Sequence, residues 1–139
     1  MMESLFTLAN FKHYFIALAV FLVIDMVWLL VIAKNTYSKY LGYLMAPNPN
    51  LWAALLFYLI FILGLLFFVI DPALTKASWQ FALFAGMFFG LVTYSTYDLT
   101  NMATIKDWPA FITVIDLIWG SAVSGATAII SYFLIKLVG

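Results

Sequence analysis

Four stretches of about twenty or more residues with almost no charge dominate this chain: 12–34, 51–71, 79–102 and 109–136. At about 1.5 Å per residue, runs of that length reach across a hydrocarbon core of about 30 Å. A soluble helix of the same length would carry a polar face, and these runs carry none. The expected fold is all-α: an integral membrane bundle of four transmembrane helices forming one domain over 1–139. Composition agrees, because 67% of the residues are hydrophobic and 9% charged, too little charge to cover a soluble surface. A cleaved signal peptide fits poorly, since the run behind Lys12 has the length of a full span and lacks an A-x-A-like site.

The connections sharpen this outline. The first loop, 35–50, carries Tyr37, Tyr40, Tyr43, Lys39 and Pro47-Asn48-Pro49. Its tyrosines suit a membrane interface, and 37–45 reads as a short interfacial helix that the prolines stop. Asp71-Pro72 is expected to end the second span, because a residue before proline is pushed out of helical geometry. Pro109 suits the first turn of the fourth. Lys12, Lys76 and Lys136 fall at one end of the bundle and Lys34, Lys39 and Lys106 at the other. Both termini therefore share a side, and the lysine balance leaves the orientation open.

Some functions are excluded outright. Net charge is zero and there is no basic stripe, so nucleic acid is not an expected partner. Without cysteine there are no thiolate ligands or nucleophiles. One histidine, His13, cannot build a multi-histidine metal site or a bis-histidine haem. No cofactor motif is present, and a metal is neither named nor excluded by the carboxylates.

What remains is a set of acids inside apolar runs. Val23-Ile24-Asp25-Met26-Val27-Trp28 and Val114-Ile115-Asp116-Leu117-Ile118-Trp119 share one pattern on the first and last spans, which run in opposite directions. That suggests a pseudo-symmetric relation of the kind found in inverted repeats. In either helix Asp and Trp at i and i+3 share a face. On the third span Gly86, Gly90, Tyr94, Tyr97, Asp98 and Asn101 form a stripe; on the fourth, Asp116, Gly120, Ser124, Thr127 and Ser131 do. Glycines on such stripes pack helices closely, and hydroxyls back-bond to their own helix. The acids are different, because each costs about 2.5–3.5 kcal/mol at a helix centre and no lysine lies within a span to pair with it. Either their protons stay on or a cation arrives. The candidate ligand- or ion-binding residues are Asp25, Trp28, Tyr94, Tyr97, Asp98, Asn101, Asp116 and Trp119. The tryptophans would offer cation–π faces and the tyrosines hydrogen bonds.

The run Tyr97-Asp98-Leu99-Thr100-Asn101, continuing through Trp108-Pro109 to Asp116 and Trp119-Gly120, resembles a family of small bacterial membrane proteins designated a domain of unknown function. The likeness extends to Asp25-Met26-Val27-Trp28, Tyr37, Gly42, Phe57-Tyr58 and Pro72-Ala73-Leu74, nearly the whole chain. The resemblance implies a multi-pass protein of the bacterial inner membrane and carries no catalytic assignment.

Three functions compete. The first is a proton- or cation-coupled transporter working as a homodimer in the lipid bilayer, since four helices are few to enclose a pathway. The second is a membrane-embedded enzyme or accessory on a lipid-like substrate, its carboxylates acting as acid and base or holding a divalent cation with Asn101. The third is a structural or partner-binding subunit whose acids fix helix register. The unpaired acids favour the first, with a small cation as ligand.

Overall fold

The computed structural model describes residues 8–138; the short mixed stretch 1–7 lies outside the described residues, as does Gly139. Within them the chain is helical and no strand forms. Five helices follow one another: α1 (Leu8–Ile32), α2 (Thr36–Leu41), α3 (Leu51–Lys76), α4 (Trp79–Thr104) and α5 (Ala110–Val138). Helix α2 occupies the first loop, as its tyrosine pattern suggests. Two helices start at side-chain caps: Asn50 accepts from the Ala53 amide at 3.1 Å and Ser78 from the Phe81 amide at 3.0 Å.

The second span corrects the expected boundary. Helix α3 does not end at Asp71-Pro72 but runs on to Lys76. A π-helical turn at Leu66–Ile70 precedes the proline, and Ile70 and Asp71 keep right-handed helical dihedrals. The wider turn accommodates the proline ring, and Pro72 sits in the first turn of the renewed α-helix, where its missing N–H costs little. The true stop is Ala77, left-handed at φ 50°, with the Ser78 amide closing back on the Ala73 carbonyl at 3.0 Å. Helix α1 likewise begins earlier than Lys12, at Leu8, and ends in a π turn at Trp28–Ile32.

By length and composition, α1, α3 and α5 could each cross a membrane, three candidate spans where the sequence reading counted four. Helix α4 has 26 residues, but its last third is a run of hydroxyls, an acid and an amide that lowers its hydropathy.

Helices α4 and α5 are packed along their length. A Cβ on Gly90 would overlap the Gly120 carbonyl and the Ser124 hydroxyl, and one on Gly86 would stand 2.8 Å from the Ala128 Cβ. The backbones touch because these residues have no side chain, which in an apolar solvent supplies the packing that water otherwise drives. Helix α1 lies antiparallel to α5: Trp28 meets Trp119 at one end, and Lys12 Nζ reaches the Val138 carbonyl at 3.4 Å at the other. Phe21, Ile62, Leu65, Leu66, Ile70, Val123 and Tyr132 fill the centre. Tyr40 packs on Phe111 and Tyr43 donates to the Asp107 carbonyl at 2.6 Å, which folds the first loop over the end where α4 and α5 join.

Candidate functional site

Below the first loop the helices part. Phe61 on α3 meets Phe89 and Tyr94 on α4, at ring separations of 5.5 and 6.4 Å. Nearer the loop, residues 51–60 of α3 are exposed except for the half-buried Tyr58. The resulting cavity measures about 580 Å³ and draws residues from all five helices. Asp25, Trp28 and Leu29 come from α1, Tyr37 and Leu41 from α2, and Ala54, Phe57 and Tyr58 from α3. Thr93, Tyr94 and Tyr97 of α4 and Asp116 and Trp119 of α5 complete it. Phe57 and Tyr97, about half exposed, flank its side opening.

Two carboxylates enter this cavity, and aromatic groups hold them both. Tyr58 donates to Asp25 Oδ2 at 3.1 Å and Trp119 Nε1 to Asp25 Oδ1 at 3.3 Å. Tyr37 donates to Asp116 Oδ1 at 2.5 Å, and Trp28 Nε1 donates to the Tyr37 hydroxyl at 3.2 Å. The Tyr37 bond has the length of a charge-assisted hydrogen bond. Burial, and then the bond to Asp116, push the Tyr37 phenol above its ordinary range, so it remains a donor at neutral pH.

The connection is crossed. The tryptophan of each Asp-x-x-Trp pair points to the acid of the other helix, directly for Trp119 and through Tyr37 for Trp28. Between them the two indoles stack with centroids 4.3 Å apart and planes inclined by 8°. The π turn opens at Trp28 itself, and its wider winding changes the phase of the residues beyond it. Sequence spacing placed each Asp and Trp on one face; it did not disclose that each would serve its opposite number.

The third acid takes a separate place. Asp98 is 0% exposed and does not line the cavity. Asp116 is the acid that acts on it electrostatically, and no hydrogen-bond partner among the described residues reaches either Asp98 oxygen. Asn101, one turn on, contacts the Tyr97 side chain and does not line the cavity. Of the eight residues singled out from sequence, six face the cavity, Asp98 backs it and Asn101 stands outside it.

Tyr37, Tyr58, Phe57 and Thr93 were missed. Tyr37 looked like one of several interfacial tyrosines, and only the fold of α2 against α5 brings it to Asp116. Among the described residues no group of three or more His, Cys, Asp or Glu is arranged to hold a metal. His13 Nδ1 stands 4.0 Å from Asp71 Oδ1, toward the other end of the bundle. The pocket acids thus have neutral donors and no cationic side chain beside them.

A family model described as "Predicted membrane protein (DUF2177)" matches residues 10–133. No curated protein and no solved structure matches the chain.

Proposed function

The chain belongs to this family of predicted membrane proteins, and from that premise we propose that it is a proton-coupled carrier of lipophilic organic cations. One observation carries the reading: two carboxylates with only neutral donors sit in a cavity whose walls include seven aromatic rings. A cation there would gain a charge partner and cation–π contact in the same step. The cavity has the size of sites for drug-sized ligands, and its side opening would admit a ligand dissolved among acyl chains.

In this reading α4 is the fourth span. Its 26 residues reach about 39 Å, and in its polar C-terminal third Asp98 is buried and Tyr97 lines the cavity. The bacterial inner membrane is the proposed location. A second copy would close the open side along the exposed half of α3, making the working unit a homodimer. The crossed Asp-Trp pairs of α1 and α5 would be an inverted-repeat site of the kind carriers place between pseudo-symmetric halves.

Tetraphenylphosphonium binding to detergent-purified protein tests the pocket, with the stacked Trp28 and Trp119 as fluorescent reporters. The expected result is saturable quenching that Asp116→Asn and Asp25→Asn each weaken about tenfold or more, a loss of about 1.4 kcal/mol. Equal affinity in the wild type and both variants would overturn the reading.

A further inference from the structure

The buried polar side chains without a partner are not scattered. Among the described residues they are His13, Asp98, Ser124, Thr127 and Ser131. Asp116, Gly120, Ser124, Thr127 and Ser131 fall within an arc of about 80° on α5, at 100° per residue. The three hydroxyls are each 0% exposed. Ser124 and Thr127 are separated by about 4.5 Å along the axis, and Thr127 and Ser131 by about 6 Å.

This file has a group suited to proton exchange at either end. At the cavity end stand Asp98 and Asp116, both buried and acting on one another electrostatically. The Tyr94 ring, which also lines the cavity, lies over Gly120, midway along α5 between Asp116 and Ser124. At the other end, the antiparallel register set by Trp28–Trp119 and Lys12–Val138 puts His13 about one and a half turns beyond Ser131. His13 faces Asp71 at 4.0 Å, and Asn10 hydrogen-bonds Asp71. Lys12 is the other charge acting on His13.

Hydroxyls turned inward without a bond to their own helix are the exception here. The hydroxyls of α4 at Thr93, Ser95, Thr96, Thr100 and Thr104 all bond to carbonyls three or four residues back. A hydroxyl can accept a proton on one lone pair and release its own, with water taking up the intervals.

We propose that Ser124, Thr127 and Ser131 form a proton path through the bundle from the Asp98–Asp116 pair to the His13–Asp71 pair. The ligand and the proton would then reach Asp116 by different routes, the ligand through the side opening and the proton along α5. The path rests on the file alone and stands or falls apart from the ligand the cavity takes.

Proteoliposomes loaded with a pH dye and placed under a potassium diffusion potential test it. Wild-type vesicles are expected to acidify several-fold faster than protein-free ones. Thr127→Val combined with Ser131→Ala should return the rate to the protein-free level. Thr127→Ser, which keeps a hydroxyl in place, and Thr96→Val, on the exposed face of α4, should conduct like the wild type. Tetraphenylphosphonium binding by each variant in detergent verifies that the pocket has folded. A wild type no faster than empty vesicles overturns the path, as does a double variant that binds the cation and conducts normally. Absent binding with normal conduction would sink the pocket reading and leave the path intact.

Discussion

The hydroxyls of α4 and the three buried ones at 124–131 of α5 are the same residue types in opposite circumstances. Along Thr93–Thr104 they bond to their own helix, several of them exposed, and need nothing from any neighbour. Along 124–131 they are buried, face the bundle and bond to nothing among the described residues. The same residue types thus form a self-satisfied, partly exposed row on one helix and an interior polar file on the next. A serine or threonine in an apolar helix is ambiguous until its direction is known; back-bonding satisfies it in the first case and leaves a demand in the second.

Substitutions can break that comparison in order of effect. The largest should come from the seam that brings α4 against α5. Gly90→Ala drives a methyl into the Gly120 carbonyl and the Ser124 hydroxyl, with an expected cost of about 1–3 kcal/mol in thermal unfolding in detergent. Gly64→Ala meets only the edge of the Phe89 ring, at 3.0 Å, and should cost less. Next is Tyr37→Phe, which leaves Asp116 without its donor and Trp28 without its acceptor, for about 1–2 kcal/mol less stability or a matching loss of cation affinity. Because burial raises the Tyr37 phenol, it should still be protonated at pH 10, where an ordinary tyrosine is about half ionised. Tyrosinate absorbance at that pH should therefore be the same with and without Tyr37; a drop of half a tyrosinate in the variant would contradict its burial against Asp116.

Smaller effects separate the two kinds of hydroxyl. Thr113 accepts from Trp108 Nε1 at 2.9 Å, so Thr113→Val should lower stability by about 1 kcal/mol. Thr127 has no such bond, and Thr127→Val should leave the melting temperature unchanged or raise it. Thr96→Val, exposed and back-bonded, should change stability by less than about 0.5 kcal/mol. If Thr127→Val were the most costly of the three, the contrast between buried and outward hydroxyls would fail.

Much of the architecture is legible in the sequence because apolar run length and helical phase are local. The stripe on α5 could be written down from 100° per residue, and its members are buried as that phase requires. The short helix in the first loop followed from tyrosines and prolines. The extent of α3 was not legible, because proline reads as a stop while a π turn upstream absorbs it, and such turns have no sequence signature of their own. Nor were Tyr37 and Tyr58 visible as carboxylate partners, since those contacts join residues 79 and 33 positions apart. The back-bonding expected of hydroxyls in general holds on α4 and fails for the buried ones of α5, a difference of packing partner that composition cannot express.

The central claim is that the acids between α1 and α5 await a positive charge. It is tested most directly by adding tetraphenylphosphonium, and in parallel the similarly shaped anion tetraphenylborate, to unbuffered detergent-purified protein under a pH electrode. The account predicts saturable proton release with the cation, none with the anion, and none with the cation in Asp116→Asn. Equal binding of both ions without proton release would show a greasy cleft indifferent to charge and would contradict it.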